Sequence, residues 1–335
     1  MASSQATPKL PGAGPAKKLF LVDAMAHVYR AFFAPMNRMN APSGIPTKVP
    51  FLFNNILRRL LNDYKPDYVG IVFDTRQPTF RDKLFEQYKA KRAPMPDELA
   101  QQLPYVRRLC EAMRLPILEL DGYEADDIIG CLAQKAAKQN LDVLLVTNDK
   151  DMMQLVDGNV RVLRAGTGGA KNDVIVDAEK VKEILGVPPE KVVDVMSLMG
   201  DTIDNIPGAK GIGEKGATAL IQQYGSVENA LEHAAEVSNK RYREALQQQR
   251  EQVLMSKQLA TLATTVPVEL DLPSLARREP DVPALSALYR ELGFNSLLRE
   301  LGSEAVAASA VANAEPVMQT DYAQLGSPGE FGDYL

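Results

Sequence analysis

Gly122-Tyr123-Glu124-Ala125-Asp126-Asp127-Ile128-Ile129-Gly130 puts three carboxylates into four positions, directly ahead of an apolar run. The first cation after Asp127 is Lys135. Unpaired like charges repel and raise one another's pKa. Two readings fit the stretch taken alone. Acids in a first helical turn complement the helix dipole. A carboxylate cluster also holds a divalent cation. The surrounding chain decides between them.

Working outward, short apolar runs end in acids. Lys18–Asp23, Tyr68–Asp74, Ile117–Leu120 and Val143–Thr147 read as buried strands. They deliver Asp23, Asp74, Glu124 and Asp149 at or just past their ends. Helical patterns alternate with them: Ala24–Phe33, Phe51–Leu61, Pro104–Met113 and Ala125–Gln139. Val160–Leu163 and Val174–Val176 are further short strands. Such alternation predicts a parallel α/β sheet flanked by helices. Ligands of these sheets sit beyond the carboxyl ends of the strands. Any one acid there is an ordinary loop or cap residue. Four strands delivering acids to one edge predict a shared metal site. Hard cations prefer such oxygen donors.

Past Val181 the pattern turns wholly helical. Val192–Met199 leads to Gly200-Asp201-Thr202-Ile203-Asp204-Asn205-Ile206-Pro207-Gly208. Then Ala209-Lys210-Gly211-Ile212-Gly213-Glu214-Lys215-Gly216 opens an apolar-periodic helix. Glycines ahead of a helix leave N–H groups able to hold phosphate. The alternative is a plain tight turn; Lys210 and Lys215 favour phosphate. Arg76–Arg92 is strongly basic.

The 335 residues are 45% hydrophobic and 24% charged, a globular composition with length for two domains. No apolar run reaches the length of a membrane span. Met1–Pro15 lacks the apolar core of a signal peptide and reads as a disordered tail of a cytoplasmic protein. Cys110 and Cys131 lack metal-type spacing and read as core residues. Net charge is −5, but Ser303–Leu335 carries five acids and no Lys or Arg. Setting aside acids committed to metals, the remaining surface is basic, as nucleic acid would require.

The motifs Leu-Val-Asp at 21–23, Val-Phe-Asp at 72–74, Phe80-Arg81, Tyr88-Lys89-Ala90-Lys91-Arg92-Ala93-Pro94, Gly-Tyr-Glu-Ala-Asp-Asp at 122–127, Asp149-Lys150-Asp151, Gly200-Asp201 with Asp204–Gly208, and Gly211–Lys215 stand in this order. Together they resemble the flap-endonuclease, or 5′-3′ exonuclease, family. They are most similar to the nuclease domains at the amino end of bacterial polymerases. The resemblance spans about residues 18–300.

It implies a PIN-like nuclease domain over 17–180, with a helical arch at about 76–103. A helical DNA-binding domain over 181–302 would contain a helix–three-turn–helix at about 192–224. A tail at 1–16 and an acidic, Ala-rich linker at 303–335 would flank them. The implied activity is hydrolysis of DNA phosphodiesters at 5′ single-strand/duplex junctions, using two Mg²⁺ or Mn²⁺ ions. Asp23, Asp74, Glu124 and Asp126 map around one ion. Asp127, Asp149, Asp151, Asp201 and Asp204 map around the second and its waters. Arg30, Arg81, Lys89 and Arg92 match positions that contact the reacting phosphate. Lys91, Gly208, Lys210, Gly211, Gly213 and Lys215 match DNA-contacting positions, with a K⁺ ion at the glycine turn. Tyr88 either stacks on an unpaired base or packs in the core. The implied partners are DNA with 5′ flaps, nicks or RNA primers, and a polymerase module in a longer chain. The implied setting is a monomer at the bacterial nucleoid, away from membranes.

Departures from the family pattern are Ala24 in place of a Gly, Phe51-Leu52-Phe53 in place of Tyr-Gly-Phe, and Gly216 in place of a Thr. Two rivals stand beside this reading. A PIN-type ribonuclease typically lacks the glycine turn and basic arch. A non-catalytic DNA-binding platform has no reason to keep nine acids.

Overall fold

The computed structural model describes residues 16–164, 166 and 173–302. The expected tail at 1–16 falls almost wholly, and the linker at 303–335 wholly, outside them. Of the described residues, those up to Gly293 pack as one compact unit and 294–302 belong to a second.

In the first unit six strands form one sheet: β1 (Lys18–Asp23), β2 (Tyr68–Val72), β3 (Ile117–Leu118), β4 (Asp142–Val146), β5 (Val160–Arg164) and β6 (Val174–Val176). Their order is β3-β2-β1-β4-β5-β6. All neighbours are parallel except β5 and β6. The central strands are apolar on both faces because helices cover both sides. The run from Leu19 to Val22 is accordingly buried throughout.

The chain builds outward from β1 to β2 and β3, then returns to lay β4 on the other side of β1. The order therefore reverses between β1 and β4. That reversal opens a crevice beyond the strand ends, the place where such sheets bind ligands. Asp23 closes β1 and caps the helix Ala24–Phe33, its Oδ1 accepting from Ala26 N at 3.0 Å. The helix Ala125–Ala137 opens at Glu124 over the same edge.

The helices Val192–Met199 and Glu214–Tyr224 flank a stapled loop. Within it Asp201 and Ile206 exchange backbone hydrogen bonds of 2.9 and 2.7 Å. Gly200 and Gly208 let the two ends of this loop cross. A Cβ on Gly208, which has φ +59°, would stand 2.5 Å from Gly200 N.

The segments on either side of residue 181 pack together within that first unit. After the helix Arg250–Ala260, the chain runs back over the sheet. Ala263 N donates to Asp127 at 2.8 Å, and Cys131 Sγ to Val266 O at 3.5 Å. Ala276 then bridges Tyr68 of β2. Further on, Tyr289 Oη donates to the buried Asn54 Oδ1 at 2.7 Å. Both cysteines are buried and free, as expected. Among the described residues no helix is long and apolar enough to cross a membrane.

In the arch segment, about 76–103, helices span Phe80–Leu84 and Asp97–Ala100, and a third begins at Leu103. Thr79 caps the first, its N–H donating to Asp82 at 2.6 Å. Between the first two the chain turns down onto the acidic edge. Lys89 adopts φ +56° there, and its N–H donates to Asp204 O at 2.9 Å.

Candidate functional site

Asp23, Asp74, Glu124, Asp126 and Asp149 gather where β1, β2 and β4 end. The backbone holds most of their positions. Asp74 Oδ1 accepts from Ala125 N at 2.9 Å, so β2 and the helix Ala125–Ala137 are tied at the acids themselves. Asp149 Oδ1 accepts from Asp151 N at 2.9 Å. Thr147, at the end of β4, donates to Asp23 Oδ2 at 2.8 Å.

Burial and like charge dominate the electrostatics of Asp23 and Asp126. Burial pushes the Asp23 carboxyl up to about 6, with Asp74 and Asp149 adding to the rise and bonds from Ala26 and Thr147 opposing it. Asp126 is raised well above the carboxylate range by burial, then by Asp23, Asp149, Asp74 and Glu124. Asp151 is raised likewise by burial and by Asp149, Asp201 and Asp204, with Lys150 opposing. Asp149 thus acts on Asp23 and Asp126 on one side and on Asp151 on the other, joining these acids in one field. Asp201 and Asp204 enter it on the stapled loop, where Asp201 Oδ1 fixes Ile203 N at 2.7 Å and Asp204 N at 3.1 Å. Lys150 pairs with Asp201 at 3.4 Å.

Cations cover the field from above. Lys89 Nζ lies 2.5 Å from Glu124 Oε1 and 3.8 Å from Asp204 Oδ2. The half-exposed Arg92 pairs with Asp204 Oδ1 at 2.5 Å. Lys91 is exposed.

Two expectations are corrected and one open alternative is decided. Asp127 does not join the field. It is 0% exposed and faces the core. Its two oxygens take a bidentate pair from Arg81 at 2.7 and 2.8 Å, and also accept from Ala263 N and Glu124 N. Arg81, 1% exposed, correspondingly cannot reach a DNA phosphate. Its remaining donors hold Leu259 O at 2.9 Å, Thr261 O at 3.0 Å and Glu124 Oε2 at 3.3 Å. Tyr88 is buried, and its hydroxyl donates between Glu124 Oε2 at 3.2 Å and Asp204 Oδ2 at 3.3 Å. The core alternative applies, and no face is left for a base. Arg30 donates to the carbonyl of Gly166, with Arg59 and Asp173 also in its field.

Thr147 was missed, although a lone hydroxyl residue ending an apolar strand two positions before an Asp was a usable signal. Gln154 was missed too. Its amide ties Ala260 O at 3.0 Å and Leu262 N at 3.0 Å, and no sequence pattern marks it.

At the glycine turn, Lys210 and Lys215 are exposed and Gly213 precedes the helix Glu214–Tyr224. Gly211 has φ +89°, and Arg241 lies where its Cβ would stand. Two of the turn's carbonyls are engaged, Gly208 O by Gln252 Nε2 at 2.7 Å and Ala209 O by Ile212 N at 3.0 Å.

The acidic field offers only oxygen donors, the chemistry that hard divalent cations select. Among the described residues no group of three His, Cys, Asp or Glu is drawn close enough to hold an ion by itself. A looser set suits Mg²⁺, which keeps several of its waters.

Comparison with known proteins agrees with this layout. Residues 18–186 match the family model of the 5′-3′ exonuclease N-terminal resolvase-like domain. Residues 187–283 match that of the 5′-3′ exonuclease C-terminal SAM fold. DNA polymerase I of Bacillus subtilis is 41% identical over 293 residues, which is 87% of this chain and 33% of the relative. That of Chloroflexus aurantiacus is 43% identical over 85% of this chain and 31% of the relative. The chain thus spans about a third of the length of these curated relatives. Among solved structures, the bacteriophage T5 flap endonuclease complexed with DNA and metal ions aligns with TM-score 0.62 at 20% identity, covering 86% of this chain and 100% of that one. The catalytic core of Rad2 with DNA substrate aligns with TM-score 0.58 at 17% identity, covering 85% and 93%. At those identities the two structures speak for the fold alone. The family models, which between them cover the sheet, the acidic edge and the glycine turn, settle the assignment: this chain belongs to the 5′-3′ exonuclease family.

Proposed function

We propose that the chain is a structure-selective 5′ nuclease, hydrolysing DNA phosphodiesters at 5′ single-strand/duplex junctions as exonuclease and flap endonuclease. One observation carries the reading. Eight acids, Asp23, Asp74, Glu124, Asp126, Asp149 and Asp151 with Asp201 and Asp204 from the stapled loop, share one electrostatic field beneath Lys89 and Arg92.

These acids would hold Mg²⁺ or Mn²⁺, and Asp127 is withdrawn from the set. A bound pair of such ions supplies an activated water and stabilises the leaving oxygen. The chain's own groups do the rest. Lys89 and Arg92 reach the acids from the overlying segment, so a phosphate threaded there meets two cations. Preplaced charge of that kind favours the transition state, where phosphate charge develops. The Tyr88 hydroxyl keeps Glu124 and Asp204 in register. Lys210 and Lys215 meet duplex phosphates whose charge does not change during reaction, which adds affinity without sequence preference.

The substrates are DNA with 5′ flaps, nicks or RNA primers. A polymerase module is the proposed partner, because the matched relatives are polymerases about three times the matched length. The test is a 5′-labelled flap duplex incubated with Mg²⁺ and with EDTA. Cleavage at the junction only with Mg²⁺ is expected. Binding without cleavage in both would leave a DNA-binding platform instead.

A further inference from the structure

β4 reads Asp142-Val143-Leu144-Leu145-Val146, an apolar strand, and then presents Thr147. The Thr147 side chain is fully buried. A buried hydroxyl is unfavourable there unless its hydrogen bonds are made, and valine would fit the same space without that cost. Both bonds are made, and both go to the acidic edge. The hydroxyl donates to Asp23 Oδ2 at 2.8 Å and accepts from Asp149 N at 3.1 Å.

The geometry fixes the direction of each bond. An ionised carboxylate accepts and an amide N–H donates, so the single hydroxyl proton points at Asp23 and a lone pair faces Asp149. Asp23 Oδ1 is meanwhile held by Ala26 N. Asp149 Oδ1 is held by Asp151 N. One side chain therefore joins the acid of β1 to the acid following β4, across the crevice where the strand order reverses. These two acids repel, and among the described residues no other side chain is hydrogen-bonded to both.

We propose that Thr147 is a positioning residue that sets the spacing and aim of Asp23 and Asp149, and through them the affinity of the edge for divalent cations. It touches neither substrate nor cation. The inference rests on reading the acids as the cation-holding set.

The test uses the whole chain, wild type, Thr147→Val and Thr147→Ser. Mn²⁺ binding is titrated without DNA by electron paramagnetic resonance. Flap cleavage is measured in single turnover, and thermal midpoints are taken in EDTA. Loss of a partner that orients a metal ligand typically costs 10- to 100-fold in affinity. Thr147→Val is expected to weaken Mn²⁺ binding by about that factor. It should slow cleavage at limiting Mn²⁺ more than at saturating Mn²⁺, and leave the midpoint in EDTA nearly unchanged. Thr147→Ser, which keeps the hydroxyl, is expected to recover both readouts. If valine is not tolerated, Thr147→Ala replaces it in the same comparison. Mn²⁺ affinity within twofold of wild type in Thr147→Val overturns the inference alone, and so does serine failing as badly as valine. A wild-type chain that cleaves but binds no Mn²⁺ overturns the cation reading itself.

Discussion

Replacing Arg81 by Met removes a guanidinium that is 1% exposed and leaves Asp127, 0% exposed, without its bidentate partner. An uncompensated buried charge of this kind costs about 3–5 kcal/mol. The carbonyls of Leu259 and Thr261 lose their donor as well, each loss adding on the order of 1 kcal/mol where water cannot enter. For a chain of this size each kcal/mol moves the thermal midpoint by roughly 2–4 °C, so a fall on the order of 10 °C is expected. The companion double variant Arg81→Met/Asp127→Leu removes both charges and should recover much of that loss, because apolar pairs replace buried ion pairs at little cost. Calorimetry or circular dichroism melts measure both. Asp127→Asn completes the set. It should lower stability while leaving Mn²⁺ affinity within a fewfold, since Asp127 faces Arg81 rather than the acids. An Arg81→Met variant within about 1 kcal/mol of wild type would refute the clamp. So would an Asp127→Asn variant that keeps its stability and loses metal binding.

Asp126→Asn and Asp149→Asn should lose most single-turnover cleavage yet bind flap DNA at least as tightly as wild type, because repulsion with the backbone falls; near-normal rates in either would remove them from the site. Lys89→Ala should slow the chemical step, by on the order of 10²–10³ for one transition-state donor. Lys215→Ala should instead raise KM, leave kcat nearly unchanged and lower the salt slope of binding by about one phosphate contact; equal slowing of saturated turnover by both variants would defeat that division. Gly208→Ala forces a Cβ to 2.5 Å from Gly200 N and 2.7 Å from Leu198 O at φ +59°, so the loop bearing Asp201 and Asp204 should shift and cleavage fall with stability. Burial pushes the His27 imidazole down to about 4, so between pH 4 and 6.5 the unfolded chain binds a proton that the folded chain does not. Stability from this group therefore falls as pH drops. Measured as thermal midpoints, any deficit of His27→Gln should be smaller at pH 5 than at pH 7, and an unchanged deficit would contradict the assignment.

The strands and their terminal acids were legible in the chain itself. A buried parallel strand needs an unbroken apolar run, and Leu19–Val22, Val69–Val72 and Val143–Val146 provide it locally. Each run ends at the carboxyl end of its strand, so the acids that follow must lie on one edge once the strands are parallel. That same logic placed Asp23, Asp74, Glu124 and Asp149 at the strand ends, and the glycine pattern marked a turn at 208–216 ahead of the helix that starts at Glu214. Which acid does what was beyond reach locally. Asp126 and Asp127 are adjacent and share a helical turn, but consecutive helical residues point about 100° apart. One therefore faces the acidic edge and the other the core. The core side was decided by Arg81, which comes from 46 residues earlier, and by Ala263 N, which comes from 136 residues later. Tyr88 and Thr147 follow the same rule. Local spacing sets what a residue is able to reach, while its partner is set by distant segments that arrive only when the chain closes. The sequence alone thus determined the sheet and the edge where chemistry gathers. Only the tertiary structure decided which of the gathered charges face that edge and which are held as buried ties.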